Sequence, residues 1–196
     1  MTTTSPLSTA DAILGQARAL IMVGGYGGFS YADIASQIGI RKPSIHHHFP
    51  TKAELVQVLI ARYRAEAREG LAALARNVPD PLAQLQSYVG YWERCIADAS
   101  APICVCALLA SELPLLPEPV AEEVKGHFRD LSAWLAAVFE RGAQQGSFQL
   151  LHPPRVEAEA FMATVHGAML SARAYGEPEI FGLILQRVLA RFTTAG

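Results

Sequence analysis

Residues 30 to 52 constrain the fold of this chain more than any other segment, because they combine two short helical patterns with a glycine between them. In the first pattern Ile34 and Ile38 lie about one helical turn apart. Gly39 permits the left-handed backbone that a tight turn between helices requires. Pro43 is tolerated only in a first turn, so the second helix begins at about residue 41 or 42. The segment predicts a helix-turn-helix.

The second helix of this segment divides into an apolar face and a polar face. Ile45 and Phe49 lie four residues apart and are expected to face the core. A helix that enters the major groove needs small or polar side chains near its N-terminus and cations that hold phosphates. We therefore predict a DNA-contacting surface that consists of Ser30, Tyr31, Arg41, Lys42, Pro43, Ser44, His46, His47, His48 and Lys52.

An amphipathic helix precedes this segment, with a capping-box pattern of Ser8 and Asp11 at its start. Together the two segments closely resemble the N-terminal DNA-binding domain of the tetracycline-repressor (TetR) family of bacterial transcription regulators, over about the first sixty residues. The positions that match in register are Ile13, Leu14, Ala17, Leu20, Ile21, Gly25, Tyr26, Phe29, Ser30, Asp33, Ile34, Ala35, Gly39, Ile40, Lys42, Ile45, His48, Phe49, Lys52 and Leu55.

The resemblance implies a three-helix DNA-binding domain, a long fourth helix and a larger helical ligand-binding domain, working as a homodimer on a palindromic operator. We assign residues 1–52 to the DNA-binding domain, 51–76 to the connector helix and 53–196 to the ligand-binding and dimerisation domain. In the family, ligand binding moves the connector and changes the spacing of the two recognition helices. The family usually has tyrosine where His46 stands and a small polar residue where Arg41 stands, so the contacted bases do not transfer from a relative.

The rest of the chain reads as helices only, which predicts an all-α protein. Thr51 and Glu54 form a second capping-box pattern, and the helix they open runs to about Arg76. Prolines and glycines separate the later segments. We expect these further helices at about 81–99, 103–112, 118–145, 155–175 and 177–193.

Charge is distributed unevenly along the chain. The formal net charge is −2 over 196 residues, of which 51% are hydrophobic and 17% charged. Residues 1 to 52 nevertheless carry four cations against two carboxylates, so positive charge is concentrated where DNA would bind. The sequence shows no signal peptide and no apolar run long enough to span a membrane, so we expect a cytoplasmic protein.

The last two predicted helices carry small residues on their apolar surfaces. Close approach of helices is the simplest purpose of such residues, either within one subunit or between subunits. The TetR resemblance favours a four-helix interface in which each subunit of a homodimer contributes its last two helices. The small residues are Ala160, Ala163, Gly167, Ala168, Ala172 and Ala174.

Cys95, Cys104 and Cys106 are the cysteines of the chain. Buried thiols that fill a small apolar site are one interpretation. The alternatives are a regulator that senses electrophiles or oxidants through Cys104 and Cys106, and a cysteine-dependent enzyme. A Cys-x-Cys pair lacks two further metal ligands, and successive histidines at 46 to 48 point about 100° apart on a helix, so we expect neither a metal nor another cofactor.

The apolar helices from residue 81 onward are expected to bind a small hydrophobic or aromatic effector. Aromatic residues at helical spacing are also typical of a core. The sequence lacks the Glu-x-x-His, Gly-x-Ser-x-Gly and P-loop motifs of enzymes, so we expect that the protein is not an enzyme. The TetR resemblance implies instead a dimeric repressor that is released by an effector. The candidate effector-binding residues are Tyr91, Trp92, Cys95, Cys104, Leu108, Trp134, Phe139, Phe161, His166 and Met169.

Overall fold

A computed structural model describes residues 8–193 of the chain, and this part is all-α, as the sequence predicts. It contains a short 3-10 turn, Leu113–Leu115, after the sixth helix. The helices are α1 (Thr9–Gly24), α2 (Tyr31–Ile38), α3 (Lys42–His48), α4 (Lys52–Asn77), α5 (Pro81–Ala97), α6 (Val105–Ala110), α7 (Glu118–Gln144), α8 (Pro154–Tyr175) and α9 (Glu179–Thr193). None of these helices is long and apolar enough to cross a lipid bilayer.

The helices belong to two compact units. The first unit contains the chain up to Ala65 together with Val105–Gly126, and the second contains Glu66–Cys104 together with the chain from His127 onward. Helices α4 and α7 therefore contribute residues to both units, and α6 belongs with the N-terminal helices. The border between the units passes through the interior of two helices.

Side-chain caps define the starts of the N-terminal helices. The Ser8 hydroxyl accepts from the Asp11 amide at 3.1 Å, which confirms the predicted cap of α1. Ser30 and Asp33 form a complete capping box at the start of α2. Gly39 ends α2 in the left-handed conformation, with φ of 71°, as the turn requires.

The first unit has an aliphatic core. The connector α4 begins as predicted: the Thr51 hydroxyl accepts from the Glu54 amide at 3.1 Å, and the helix continues unbroken to Asn77. The side chains that fill this core are fully buried, and burial of this apolar surface is the main stabilising term for so small a group of helices. They are Ile13, Ile21, Ile34, Ile45, Leu55 and Ile60.

The second unit is centred on four phenylalanine rings. Phe139 of α7, Phe161 of α8, Phe192 of α9 and Phe148 of the loop after α7 are buried, with ring centroids 4.9 to 6.3 Å apart. Tilted and edge-to-face contacts at these distances add to the gain from burial. This cluster joins α7, α8 and α9 around one apolar centre.

The predicted helix at 103–112 is shorter in the structure. Residues 103 and 104 are not helical, and α6 covers only Val105–Ala110. A 3-10 turn follows, in which Pro114 cannot donate an α-helical hydrogen bond. The helix expected at 81–99 ends at Ala97, and Ala99 has a positive φ of 58°. The residues between α5 and α6, which include Pro102, are not helical, so Cys104 lies outside a helix.

Candidate functional site

The exposed face of α3 is the first candidate site. Arg41, Lys42, Pro43, His47 and His48 are exposed and Ser44 is half-buried, whereas the predicted core residues of the helix are buried. The rings of His47 and His48 pack edge to face, with centroids 5.5 Å apart. With His46, which is also exposed, α3 and the residue before it therefore present two cations and three imidazoles to solvent.

His46 is exposed, but its imidazole also contacts other residues of the first unit. Its Nδ1 atom lies 3.1 Å from the Pro50 carbonyl oxygen, and its ring lies 4.8 Å from the Tyr31 ring. A carbonyl oxygen only accepts, so Nδ1 must carry the proton of this hydrogen bond. This contact orients the imidazole at the C-terminal end of α3 and directs its Nε2 edge away from Pro50.

Ser30 and Tyr31 hold the scaffold together. The Ser30 hydroxyl and amide both donate to the Asp33 carboxylate at 2.7 Å, and these bonds lower the pKa of Asp33. The buried Tyr31 hydroxyl donates to the Phe49 carbonyl at 2.8 Å. Burial, with the nearby Glu54 carboxylate, raises the pKa of Tyr31 to about 12. Tyr31 is therefore a neutral donor that ties α2 to the end of α3.

Lys52 is held against the loop that follows α1. Its ammonium donates to the Phe29 carbonyl and lies 4.0 Å from the Phe29 ring centroid and 4.9 Å from the Tyr26 ring centroid. Partial burial lowers the pKa of Lys52, and the charges of Asp33 and Glu112 act against this shift. The sequence alone gave no sign of these contacts, since the partners are distant along the chain.

Glu112 joins the end of α6 to the end of α1 within the first unit. Its Oε2 atom accepts from the Tyr26 amide at 2.9 Å. Gly25, with φ of 71°, passes so close to this carboxylate that an added Cβ would lie 1.8 Å from Oε1. No local sequence motif marks Glu112, because its partner lies 86 residues away along the chain.

Two predicted effector-binding residues, Trp92 and Trp134, lie beside Tyr88, which no sequence motif marks. Tyr88 and Trp92 lie four residues apart on α5, and the Tyr88 ring centroid is 5.7 Å from that of Trp134 on α7. Burial raises the pKa of Tyr88, and the nearby Cys104 raises it further. Tyr91 lies on the outer side of this group, 49% exposed, with its ring against that of Trp92.

Cys104 forms a pair with His127. The sulfur lies 3.7 Å from His127 Nε2, and the two residues are only 1% and 5% exposed. Cys95 is half-buried and Cys106 is buried in the first unit, and all three cysteines are thiols. Of the two cysteines proposed as sensors, Cys104 has the contact with His127.

The other candidate effector residues occupy several environments. Phe139 and Phe161 belong to the closed four-ring cluster, and Met169 is fully buried. Leu108 is half-buried on α6, in the first unit. His166 packs against Phe128 at 5.2 Å, and its buried Nε2 has no hydrogen-bond partner within the described residues. Residues 8–193 contain no group of three histidine, cysteine or acidic side chains placed to hold a metal ion.

Comparison with known proteins covers both halves of the chain. Residues 13–59 match the model of bacterial regulatory proteins of the TetR family, and residues 81–188 match that of the tetracyclin repressor-like C-terminal domain. No curated protein matches the chain.

Solved structures match almost the whole chain. A TetR-family transcriptional regulator from Agrobacterium tumefaciens is 59% identical, with a TM-score of 0.93 over 97% of this chain and 100% of that one. A TetR transcriptional regulator from Legionella pneumophila is 25% identical, with a TM-score of 0.86 over 98% and 100%. FadR from Bacillus subtilis, solved with stearoyl-CoA, is 14% identical and shares the fold, with a TM-score of 0.72 over 92% and 98%. With two family models along its length and a relative at 59% identity, the chain belongs to the TetR family and is a DNA-binding transcriptional regulator with a C-terminal ligand-binding domain.

Proposed function

We propose that this regulator is a homodimeric repressor that binds a palindromic operator through α3 and is released by a small molecule. The observation that carries the DNA-binding proposal is the exposed face of α3. It combines two cations at the start of the helix with imidazoles and one hydroxyl, while the opposite face is buried. Such a helix can hold phosphates at its flank and read base edges with the side chains between them.

Each polar residue of this face has a distinct proposed role. Arg41 and Lys42 contact phosphates, and Ser44 and His47 contact base edges. His48 lies beside His47 on the same exposed helix. Pro43 fixes the first turn, and His46 contributes its Nε2 edge because Nδ1 is engaged with Pro50. Ser30 and Tyr31 act by holding α2 and α3 in place rather than by contacting DNA.

The proposed dimer interface is an exposed apolar stripe on α8. The predicted small residues divide between two faces: Ala168 and Ala172 are buried within the subunit, and the others are exposed. Leu183 of α9 is 63% exposed as well. A continuous exposed apolar stripe along one helix supports a helix-to-helix contact with a second copy. The stripe consists of Val156, Ala160, Ala163, Gly167, Leu170 and Ala174.

Selection from random DNA duplexes tests the DNA-binding proposal. We expect purified protein to enrich a palindrome, with half-sites about one helical turn apart, and to bind DNA flanking its own gene. Affinity for this DNA should fall as salt increases, because phosphate contacts release counterions. Equal binding of all duplexes, or no binding at low salt, would contradict the proposal. Reporter expression with and without the protein distinguishes a repressor from an activator.

We also propose that the effector is hydrophobic or aromatic and binds in the second unit, near Trp92 and Trp134. FadR from Bacillus subtilis, which shares the fold, was solved in complex with stearoyl-CoA, a ligand with a long apolar acyl chain. Here the buried aromatic groups of α5 and α7 support an effector of this class. The core phenylalanines, Phe139 and Phe161, are better explained as packing, because they fill the four-ring cluster.

The Cys104–His127 pair supports a second candidate function, regulation by thiol modification. His127 can accept the thiol proton, which leaves the thiolate that reacts with electrophiles and peroxides. With a peroxide, a sulfur–oxygen bond forms, the oxygen–oxygen bond breaks, and the products are a sulfenic acid and an alcohol or water. We expect peroxide to release DNA from wild-type protein and from Cys106→Ser, but not from Cys104→Ser. Equal release from both variants would exclude this sensor.

We propose that the chain acts in the cytoplasm as a regulator without catalytic turnover. The membership of the TetR family and the exposed face of α3 support a regulator. An enzyme that used Cys104 would consume peroxide repeatedly in the presence of a thiol reductant. Consumption in excess of one equivalent per chain that disappears in Cys104→Ser would refute the proposal.

A further inference from the structure

The two tryptophans of the chain share an unusual feature. Both indole Nε1–H groups are buried, and neither has a hydrogen-bond acceptor within the described residues. An indole N–H can donate but cannot accept, so only an acceptor can satisfy it. Buried donors are nearly always paired in folded proteins, because an unpaired one loses its bond to water without replacement. Two such groups in one unit are therefore candidates to donate to a bound acceptor.

Tyr88 brings these two indoles into one place. Its ring contacts Trp134 across α5 and α7, with the centroids 5.7 Å apart. Trp92 follows one helical turn later and lies close enough to Tyr88 to lower the pKa of the hydroxyl slightly, against the larger effect of burial, although its N–H meets no acceptor at hydrogen-bonding geometry. Cys104 lies near enough to raise the pKa of the same hydroxyl. The two unpaired donors thus flank a single buried tyrosine.

The two indoles and the Tyr88 hydroxyl are hydrogen-bond donors that carry no charge of their own. Tyr88 keeps its proton, because burial disfavours the phenolate, so its hydroxyl is a third donor. Trp92, Trp134 and Tyr88 carry no positive charge that would balance a buried anion. Their rings provide apolar faces on which a flat molecule can stack. A matching ligand therefore has acceptors, a planar body and no net charge.

We propose that the effector is an uncharged, planar carbonyl compound whose oxygens accept hydrogen bonds from the indole N–H groups of Trp92 and Trp134. This inference rests on the proposed effector-responsive function and names the chemical class of its ligand. A hydrocarbon of the same shape would leave both donors unpaired. A carboxylate would supply acceptors but would bury a charge against neutral donors. The site therefore distinguishes ligands by their oxygens rather than by their apolar surface.

Fluorescence titration tests the proposal directly, since the chain's two tryptophans are the proposed donors. The probes are N-methylphthalimide, a neutral planar dicarbonyl, and indane, a hydrocarbon of the same fused-ring shape. Phthalate is the anionic control. A larger pair, 9,10-anthraquinone and anthracene, tests whether the site accepts a larger ligand. The carbonyls of 9,10-anthraquinone are flanked by fused rings, which prevent addition of a thiol. We expect the dicarbonyl of at least one pair to change tryptophan emission with an affinity about tenfold or more above that of its hydrocarbon and of phthalate, as two added hydrogen bonds imply.

Single substitutions assign the preference to the indoles. Trp92→Phe and Trp134→Phe each keep a ring and leave one tryptophan as the reporter. Each should reduce the preference for the dicarbonyl over the hydrocarbon by roughly five- to tenfold, as loss of one hydrogen bond predicts, and should leave the affinity for the hydrocarbon nearly unchanged. Tyr175→Phe, at an exposed position at the end of α8, is the control and should keep the full preference. Circular dichroism confirms that each variant is folded.

Three outcomes would overturn the proposal: no binding of either dicarbonyl, equal binding of dicarbonyl and hydrocarbon, or tighter binding of phthalate. A preference that survives both tryptophan substitutions would do the same. These titrations contain no DNA, so their failure is distinguishable from failure of the repressor function. The duplex selection tests that function, and it is unaffected by the outcome of the titrations.

Discussion

Lysines 42 and 52 illustrate how residues of one type, ten positions apart, can perform different tasks. Lys42 is exposed at the start of α3, whereas the Lys52 ammonium donates to the Phe29 carbonyl and lies over two aromatic rings. Sequence reasoning treated both as phosphate contacts, because both are cations beside a helix-turn-helix. The structure gives Lys52 a task in holding the start of α4 to the loop after α1.

Replacement of each lysine by methionine separates these tasks. Lys52→Met should lower the free energy of unfolding by about 1–2 kcal/mol, since it removes a charged hydrogen bond and a cation–π contact. Lys42→Met should leave the melting temperature unchanged, weaken binding to all DNA sequences, and reduce the salt dependence of binding by about one phosphate contact. Thermal melts and salt-dependent titrations measure these effects. Unchanged stability in Lys52→Met would show that its contacts contribute nothing.

Tyr31 makes the stability of the DNA-binding helices depend on alkaline pH. Its pKa is raised from 10.0 to about 12, so its contribution is fully present below about pH 10 and falls as pH rises toward 12, where the unfolded chain ionises first. Tyr31→Phe should lower stability at pH 8 by about 1–2 kcal/mol, because the Phe49 carbonyl loses its donor. The drop in melting temperature between pH 9 and pH 11 should be smaller in this variant than in wild type. An identical drop would assign the alkaline transition to other groups.

At the scale of elements, the Glu112 carboxylate links the segment after α6 to the loop after α1. Glu112→Ala should destabilise the first unit by about 1–2 kcal/mol, because the Tyr26 amide loses its acceptor. Glu112→Gln retains an acceptor oxygen and should recover most of that loss. Chemical denaturation of the two variants measures the difference. Equal loss in both would show that the negative charge, rather than the hydrogen bond, stabilises the contact.

The sequence predicted the helices well where caps and breakers act locally, and less well where distant residues decide. Ser8, Thr51 and Gly39 act through bonds to residues within a few positions, so their patterns predicted the ends of α1, α2 and α4. The length of α6 and the contacts of Lys52 and Glu112 depend on residues far along the chain. The same holds for Tyr88. Its four-residue spacing from Trp92 can be read from the sequence, but its ring contact with Trp134 depends on how α5 packs against α7.

At the scale of the whole molecule, the proposed dimer can be tested at a single glycine. Gly167 lies in the exposed stripe of α8, where an added Cβ meets no atom within 4 Å. Gly167→Arg should therefore leave the subunit folded but place a charged side chain in the interface. We expect a monomer with at least tenfold weaker binding to a palindrome, since each subunit then binds a half-site alone.

Gly70→Arg is the matched control for this substitution. Gly70 is also an exposed helical glycine with no atom within 4 Å of an added Cβ, and it lies on α4. The control should stay dimeric and gain slight stability from its higher helix propensity. Sedimentation measures the mass of both variants. A dimeric Gly167→Arg protein would place the interface elsewhere.

Helices α4 and α7 each run without a break from one compact unit into the other. This continuity limits how the protein can be recombined with its relatives. Consider a chimera in which the DNA-binding domain of one regulator is joined after residue 52 to the ligand-binding domain of another. Such a single join would exchange α6 together with the ligand-binding domain, although α6 belongs to the first unit. A graft that keeps both units intact needs three joins, at 65/66, 104/105 and 126/127, of which the first and last fall inside helices. Those two must preserve helical phase, because each inserted or deleted residue turns everything beyond it by about 100°.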